Sequence, residues 1–247
     1  MIPVIEVDLG PGIRAFFTTR DGGLSAPPRD SLNLGLNVDD DEEVVLANRA
    51  RVDVELGAVV SYMTQVHGST VRVVDGAPEG ADLSCGTADA LITAAARAPL
   101  GALVADCVPV LLADPGRRVV AVVHAGRAGV VAGIVAATVG AMEEIGARRG
   151  DIRAAVGPAI CGGCYEVPQA LQDEVADVVP HVRATTSWGS PSLDLPGAVA
   201  HELRRAGTAE VLEVGACTRT DTRFFSHRRA TAERSVTGRF AGVVMLA

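Results

Sequence analysis

The sequence predicts an α/β protein folded as one domain over residues 1–247. Segments with helical periodicity alternate along the chain with short apolar runs that are typical of strands. Two of these runs flank a turn sequence near the middle of the chain and predict a hairpin. No repeat, low-complexity tract or linker divides the chain, and this favours one domain over two.

The first half of the chain is rich in predicted strands. The run 13–19 predicts a strand, and Asp39, Asp40 and Asp41 then supply N-cap candidates for a helix that extends to about Leu56. Short apolar runs separated by Gly, Asp and Pro predict further strands at 59–63, 71–74, 90–93 and 100–105.

The second half alternates more regularly between the two kinds of element. Helical patterns cover 128–147, 168–179 and 195–206, and strands are predicted at 152–156, 211–214 and 239–246. This alternation is the main support for an α/β architecture.

The central hairpin is the most informative segment. Asp114, Pro115 and Gly116 form a turn sequence between the apolar runs 108–113 and 118–123, because Pro fixes φ and Gly tolerates positive φ. Apart from Arg118, both runs are apolar at every position, so we expect both faces of the hairpin to be covered. If 114–117 form the turn, Cys107 lies opposite His124, with Cβ atoms about 5 Å apart.

Charge and composition exclude several classes of enzyme. The chain has 30 acidic and 22 basic residues, for a net charge of −8, and every basic residue is arginine. The absence of lysine excludes a Schiff-base lysine, a pyridoxal enzyme and a P-loop, although codon bias alone would also explain it. An acidic chain without basic clusters argues against a nucleic-acid partner.

The expected location is the cytoplasm, without a membrane partner. The start Met1-Ile2-Pro3 lacks a basic n-region, and no apolar stretch reaches the roughly 18 residues of a membrane span. Five cysteines, an odd number, suit a reducing compartment better than a disulfide framework.

Three residues form the candidate catalytic centre. Cys107 and His124 are placed together by the predicted hairpin, and His67 follows an apolar run and precedes Gly68, as in a ligand-bearing loop. Two His and one Cys with an open fourth position form a catalytic zinc set, in which the ion acidifies a bound water or polarises the substrate. The residues alone leave two alternatives open, a Cys-His dyad and satisfied core residues.

An anion site is predicted beside this centre. The helix that begins after Gly126 would direct its first-turn N–H groups toward the same end of the sheet, with Arg127 as a clamp. The alternative is that Gly126 and Gly129 only allow close packing of a buried helix.

Other candidate residues give weaker signals. Cys161 and Cys164 have CxxC spacing but no second pair, Cys85 and Cys217 are interpreted as packing residues, and His227 as part of a basic surface spot. Arg20 ends a strand at a Gly-rich turn, where either a functional or a turn-capping role is possible.

The sequence resembles the YfiH family, whose members are described as laccase-like polyphenol oxidases and as purine nucleoside phosphorylases with adenosine deaminase activity. The resemblance extends from about Arg14 to Leu246. Ordered short motifs carry it: Thr18-Thr19-Arg20-Asp21-Gly22-Gly23, Ser31-Leu32-Asn33-Leu34, Asn48-Arg49, Gln65-Val66-His67-Gly68, Ala88-Asp89-Ala90-Leu91, Ala105-Asp106-Cys107-Val108-Pro109, His124-Ala125-Gly126, Gly157-Pro158-Ala159-Ile160, Cys164-Tyr165-Glu166-Val167, Phe225-Ser226-His227-Arg228-Arg229 and Thr237-Gly238-Arg239.

The resemblance implies both a fold and a reaction. The implied fold is a four-layer α/β/β/α sandwich with mixed sheets, and the implied cofactor is Zn²⁺, with Cu²⁺ as an alternative, held by His67, Cys107 and His124. The implied activity is phosphorolysis of adenosine, inosine or methylthioadenosine, with adenosine deamination. Arg20, Asn33, Gln65, Asp89 and Arg228 are the substrate-binding candidates, and Asp89, Asp106 and Glu166 are the candidates for proton transfer.

This sequence departs from the family pattern beside the candidate centre. The usual Trp-Arg-Gly after His-Ala-Gly is replaced by Arg127-Ala128-Gly129, and a one-residue shift on a helix turns a side chain by about 100°. Val199 replaces a usual Asn, and Cys161 a usual Gly or Ser. These changes bear on substrate preference and leave the three candidate ligands intact.

Three alternatives of other classes remain. A multicopper laccase needs more than the five histidines present, but His2Cys resembles a single blue-copper ligand set, so a copper-dependent polyphenol oxidase stays open. A metal-free hydrolase with Cys107 as nucleophile and His124 as base would suit peptidoglycan precursor editing. A non-enzymatic metal-binding protein would lack a polar pocket beside the metal.

Overall fold

Two six-stranded sheets form the centre of the computed structural model, which describes residues 1–76 and 84–247. The strands are β1 Val4–Glu6, β2 Ile13–Thr18, β3 Ser61–Thr64, β4 Val71–Val73, β5 Ser84–Thr87, β6 Ala90–Thr93, β7 Leu100–Val104, β8 Val108–Asp114, β9 Val119–Ala125, β10 Arg153–Val156, β11 Arg183–Thr185, β12 Pro191–Leu193, β13 Glu210–Glu213 and β14 Phe240–Leu246. The helices are α1 Glu42–Leu56, α2 Arg127–Val131, α3 Ile134–Glu144, α4 Gln169–Val178, α5 Leu195–Arg205 and α6 His227–Ala232.

Both large sheets are mixed. The first has the order β1-β2-β14-β7-β3-β5 and the second the order β13-β10-β8-β9-β6-β4, while β11 and β12 pair separately. In the first sheet β3 is parallel to β7, which is antiparallel to β14; in the second, β10 is parallel to β13 and antiparallel to β8.

Three apolar interfaces stack these elements into four layers. Phe17 of the first sheet packs with Leu111 and Val122 of the second. On the outer face of the first sheet, Phe16 packs with Val52 of α1. Helices α3 and α5 cover the outer face of the second sheet. The predicted mixed α/β fold with two sheets between helical layers is therefore confirmed.

The caps of α1 explain why the predicted helix forms. Asp41 is the N-cap residue, and its side chain accepts hydrogen bonds from the N–H groups of Glu43 and Val44. Gly57 ends the helix in a left-handed conformation with φ 67°.

The single helix predicted over 128–147 is wrong. Gly133 adopts a left-handed conformation with φ 79°, which divides this segment into α2 and α3. The short strands β1, β5, β11 and β12 and the short helix α6 have no counterpart among the predicted elements, because three to six residues show too little periodicity.

The hairpin β8–β9 forms as predicted and is buried at every position, but its register differs by two residues. Asp114 stays in the strand and pairs with Val119, so Pro109 and not Cys107 lies opposite His124. The Asp114 side chain accepts from Arg117 N at 3.0 Å and from Arg148 N at 2.8 Å, which fixes the turn one residue later than expected. A shift of two preserves which face each side chain occupies.

Candidate metal centre and substrate cavity

His67, Cys107 and His124 converge at one end of the two sheets. His67 follows β3, Cys107 precedes β8 and His124 lies near the end of β9. Their donor atoms all lie within 4.8 Å of one another, and Cys107 Sγ is 3.7 Å from His67 Nε2. The two imidazole rings meet edge to face, with centroids 4.7 Å apart.

Asp89 contacts both histidines and fixes their positions. Its carboxylate is fully buried and lies 2.8 Å from His124 Nδ1. The same carboxylate accepts from the backbone N–H groups of His67 at 2.9 Å and Gly68 at 2.7 Å. Since an ionised carboxylate only accepts, His124 carries its proton on Nδ1 and presents Nε2 to the other two residues.

Gly126 is required by the close packing of the centre. A Cβ at this position would lie 2.6 Å from His67 Cδ2 and 3.2 Å from Cys107 Sγ. At Gly129 a Cβ would lie 2.8 Å from the carbonyl oxygen of Gly68. Both glycines of this segment therefore permit close approach, as the packing alternative expects. The anion site was predicted at the start of this helix. Helix α2 has only five residues, and Arg127, the predicted clamp, lines the adjacent cavity.

The electrostatics of the centre favour a thiolate beside an imidazolium. Burial opposes ionisation of Cys107, but hydrogen bonds from His124 and His67 outweigh it and lower the pKa of the thiol to about 6. Burial also disfavours a charged His124, yet its hydrogen bonds to Asp89 and Cys107 raise its pKa to about 9. Burial raises the pKa of Asp89, but the bonds from His124 and Gly68 lower it below its usual range.

The donor set fits a zinc ion. With Zn–S near 2.3 Å and Zn–N near 2.0 Å, the donor atoms of a tetrahedral set of two nitrogens and one sulfur lie about 3.3–3.5 Å apart. In the structure, the donor atoms lie within 4.8 Å of one another. Two imidazoles and one thiolate leave a fourth position open. The same set also fits the trigonal ligand arrangement of a blue-copper site.

A cavity of about 780 Å³ opens beside these residues. All three candidate ligands line it, together with Tyr62, Tyr165 and His227. Four arginines also line it: Arg49, Arg127, Arg228 and Arg239. The volume is in the range of small-molecule sites, and the lining combines a ligand cluster with several cations.

None of these four arginines forms an ion pair with a carboxylate in the described part of the chain. Arg49 is only 5% exposed, and its guanidinium lies 4.5 Å from the centroid of the Tyr62 ring. Burial lowers the pKa of both Arg49 and Arg239. Arg49 and Arg239 donate to backbone carbonyls but face no opposite charge, and a buried charge that lacks one is costly, so these side chains are suited to an anion that enters the cavity.

Two of the five predicted substrate-binding residues line this cavity. Gln65 does so, but its amide is already paired with the backbone of Leu103, through Nε2 to the carbonyl at 2.7 Å and through Oε1 to the N–H at 2.8 Å. Arg228 lies above the Tyr165 ring at 5.0 Å and donates to the carbonyl of Glu166 at 2.8 Å.

Arg20, Asn33 and Asp89 are not among the described residues that line the cavity. Arg20 forms an ion pair with Asp30 at 2.9 Å. Asn33 is buried, and its Oδ1 accepts from the backbone N–H of Arg239 at 2.9 Å, so it supports the cavity wall from behind.

The remaining carboxylate candidates already accept hydrogen bonds, although Asp106 also lines the cavity. Asp106 accepts from Thr218 Oγ1 and from the backbone N–H of Arg228, each at 2.6 Å. Glu166 is exposed and accepts from Trp188 Nε1 at 3.1 Å. Both side chains therefore brace loops around the cavity.

The sequence did not reveal three features, two in this site and one outside it. Arg49 and Arg239 enter the sequence analysis only as parts of motifs, because α1 also contains Arg51 and its sequence does not show which arginine is buried. His227 is exposed, as predicted for a surface residue, but it also lines the cavity. Cys217, interpreted as a packing residue, lies with Cys161 and Cys164 in a second group of potential metal ligands.

The comparisons with known proteins agree with this architecture. A family model described as multi-copper polyphenol oxidoreductase laccase matches residues 14–247. The chain is 49% identical over 233 residues to purine nucleoside phosphorylase SCO2081 of Streptomyces coelicolor, covering 93% of this chain and 94% of that protein. It is 44% identical over 237 residues to purine nucleoside phosphorylase Rv2149c of Mycobacterium tuberculosis, covering 95% and 92%.

Solved structures show the same fold. YfiH of Bacillus licheniformis superposes with a TM-score of 0.87 at 31% identity, covering 100% of this chain and 97% of that one. YlmD of Geobacillus stearothermophilus gives a TM-score of 0.84 at 30% identity, covering 99% of each chain. The fold and the matches define a YfiH-type α/β protein with a candidate metal centre. The chain belongs to the YfiH family, as its motifs predicted, and its curated relatives are named purine nucleoside phosphorylases.

Among the described residues, no helix is both long enough and apolar enough to cross a bilayer.

Proposed function

We propose that this protein is a purine nucleoside phosphorylase whose active site is the cavity beside His67, Cys107 and His124. The observation that carries the proposal is that a candidate metal centre and four arginines without carboxylate partners share one cavity of about 780 Å³ in the described structure. Relatives up to 49% identical that carry this enzyme name support it.

The arginines supply the phosphate site. Guanidinium groups bind phosphate oxygens in pairs, and a dianion entering the cavity would compensate the charge of Arg49 and Arg239. Arg127 and Arg228 flank Tyr165 and oppose the rise that burial causes in the pKa of its phenol. In a chain without lysine, these residues are the cations available at the cavity.

The reaction exchanges one bond at the ribose. A phosphate oxygen attacks C1′, the C1′–N9 bond breaks, and its electron pair leaves with the purine, which takes up a proton. The products are the free base and ribose 1-phosphate. Tyr165 and His227 are the cavity side chains that we assign to proton delivery, because both line the cavity and are not among the candidate ligands.

His67, Cys107 and His124 would hold zinc at the edge of the same cavity. When bound there, zinc supplies a Lewis acid that polarises a substrate oxygen or activates water, which would also permit hydrolytic deamination of adenosine. Asp89 keeps His124 in the tautomer that presents Nε2 and fixes the backbone of the His67 loop. Adenosine, inosine and methylthioadenosine are the proposed substrates.

The test combines metal content with product analysis. The purified protein is assayed for metal and incubated with inosine or adenosine, with and without phosphate. We expect phosphate-dependent release of base that falls at least about 100-fold in Cys107→Ala and after chelation. Cys85→Ala, which changes a thiol outside the centre, is the matched control and keeps full activity.

Two results would contradict the proposal. Base release that is unaffected by chelation and by Cys107→Ala would exclude a role for the centre. Conversion of adenosine to inosine that needs zinc but not phosphate would leave only the deaminase.

Specific observations also favour two alternative functions. The His2Cys set and the description of the family model favour a copper-dependent polyphenol oxidase. The lowered pKa of Cys107 favours a thiolate nucleophile, as in a hydrolase acting on amide bonds of a peptidoglycan precursor. Phenol oxidation by the copper-loaded protein would identify the first, and a covalent adduct on Cys107 in metal-free protein would identify the second.

A further inference from the structure

Three cysteines outside the candidate active centre lie together. Cys161 and Cys164 belong to the turn that follows β10, and Cys217 follows β13. Their Sγ atoms all lie within 4.8 Å of one another, and all three thiols are free. A disulfide would require two sulfurs about 2.05 Å apart.

Backbone hydrogen bonds hold together the two loops that carry these thiols. Cys164 N donates to the carbonyl of Cys161 at 2.9 Å, which folds the CxxC segment into a turn. Cys217 forms a parallel bridge with Ala159, and Thr218 N donates to the carbonyl of Ala159 at 3.0 Å. The N–H of Cys161 points at Cys217 Sγ, with N and S 3.4 Å apart.

We propose that Cys161, Cys164 and Cys217 form a second metal site, which binds a thiophilic cation, Zn(II) or Cu(I). At a metal–sulfur distance near 2.3 Å, sulfurs around one ion lie about 3.8 Å apart in tetrahedral and about 4.0 Å apart in trigonal geometry. Because the Sγ atoms already lie within 4.8 Å of one another, a small rotation of the side chains would bring them to these distances. Because all three donors are sulfur, the site selects soft metals over Mg²⁺ or Ca²⁺.

The surroundings oppose a cluster of thiolates unless a cation is bound. Burial, followed by the neighbouring Cys217 and Cys164 thiols, raises the pKa of Cys161, since several negative charges in one place repel. A bound cation removes that cost. Arg219 donates to the carbonyl of Cys164 at 3.2 Å, and its guanidinium stacks 4.6 Å from the Trp188 ring centroid. This arginine adds positive charge beside the sulfurs.

The site would join one loop of the cavity wall to a second loop that bonds to a cavity-lining residue, Asp106. Tyr165, which lines the cavity, directly follows Cys164. Thr218 directly follows Cys217, donates to Asp106 and accepts from Arg229 at 2.6 Å. An ion bridging the cysteines would therefore restrain both loops without touching a substrate.

The experiment counts metal ions in the full chain. Protein stripped under reducing conditions is loaded with zinc, and in parallel with Cu(I), desalted and measured by elemental analysis. We expect about two zinc equivalents in the wild type and about one in each of Cys161→Ser and Cys107→Ser. Cys85→Ser, a substitution outside both clusters, keeps about two. Circular dichroism and thermal melting verify that each variant is folded.

Thiol protection provides a test that does not depend on the folding of Cys161→Ser. In Cys107→Ser, zinc is expected to slow alkylation of Cys161, Cys164 and Cys217 while leaving the rate at Cys85 unchanged. One zinc equivalent in the wild type that is lost entirely in Cys107→Ser would overturn the proposal. Equal alkylation with and without either metal would also overturn it, as would a mass about 2 Da low that shows a disulfide within the cluster.

Discussion

The substitution Asp89→Asn tests how the candidate centre is held together. Asp89 Oδ1 faces both His124 Nδ1 and the N–H of His67, and Oδ2 accepts from the N–H of Gly68. Asn has the same shape but carries one oxygen and one NH2 group. If the NH2 group replaces Oδ2, it opposes the N–H of Gly68; if it replaces Oδ1, it forces His124 to move its proton to Nε2 and blocks that donor atom.

The expected magnitude follows from the number of bonds lost. The cheaper orientation forfeits one charge-assisted hydrogen bond, which contributes about 1.5–3 kcal/mol to stability. Loss of the carboxylate behind a metal-binding histidine typically lowers metal affinity about 10- to 100-fold, which corresponds to about 1.4–2.7 kcal/mol.

The assay is zinc affinity by competition with a chromogenic chelator, accompanied by thermal melting. Asp173→Asn is the matched control, because Asp173 forms an ion pair with Arg183 at 2.6 Å that is half exposed and far in sequence from His67, Cys107 and His124. Wild-type zinc affinity in folded Asp89→Asn would refute the assigned role of this carboxylate.

Three further predictions follow from individual contacts. Gly126→Ala places a Cβ against His67 and Cys107 and is expected to weaken zinc binding more than about 10-fold with the fold retained, as measured by metal competition and circular dichroism; unchanged affinity would contradict the close packing. Arg49→Met removes a buried cation, so the KM for phosphate is expected to rise about 10- to 100-fold in a variant that circular dichroism shows to be folded; an unchanged KM would place phosphate elsewhere. In metal-stripped protein, Cys107 loses its proton as the pH rises through about 6, so its alkylation rate is expected to increase with a midpoint near that pH. A midpoint near the ordinary value for cysteine would refute the stabilisation of the thiolate by His124.

Local signals in the sequence predicted much of the fold. The acidic N-cap before α1 and the Gly after it are visible in the chain, as are the apolar runs of the β8–β9 hairpin. The register of that hairpin could not be predicted from the sequence, because Asp114 accepts a hydrogen bond from the backbone N–H of Arg148, which is 34 residues away. The break at Gly133 was missed because a lone Gly in an apolar segment is compatible with both a continuous and an interrupted helix.

The candidate site was also predicted only in part from the sequence. Cys107 and His124 were brought together by a local hairpin, and the geometry adds His67 to them. The cavity arginines were harder to predict, since Arg49 and Arg239 come from opposite ends of the chain and meet only through packing. The thiol cluster likewise depends on a bridge between Ala159 and Cys217 that no spacing in the sequence reveals.

The most direct test of the account is reconstitution of the stripped protein with zinc, followed by measurement of hypoxanthine formed from inosine in the presence of phosphate. We predict that activity is absent without zinc, returns as the His67, Cys107 and His124 site fills, and does not return in Cys107→Ala. Full phosphorolysis by the stripped protein, or restoration of activity in Cys107→Ala, would contradict the central claim that this centre and its cavity form the active site.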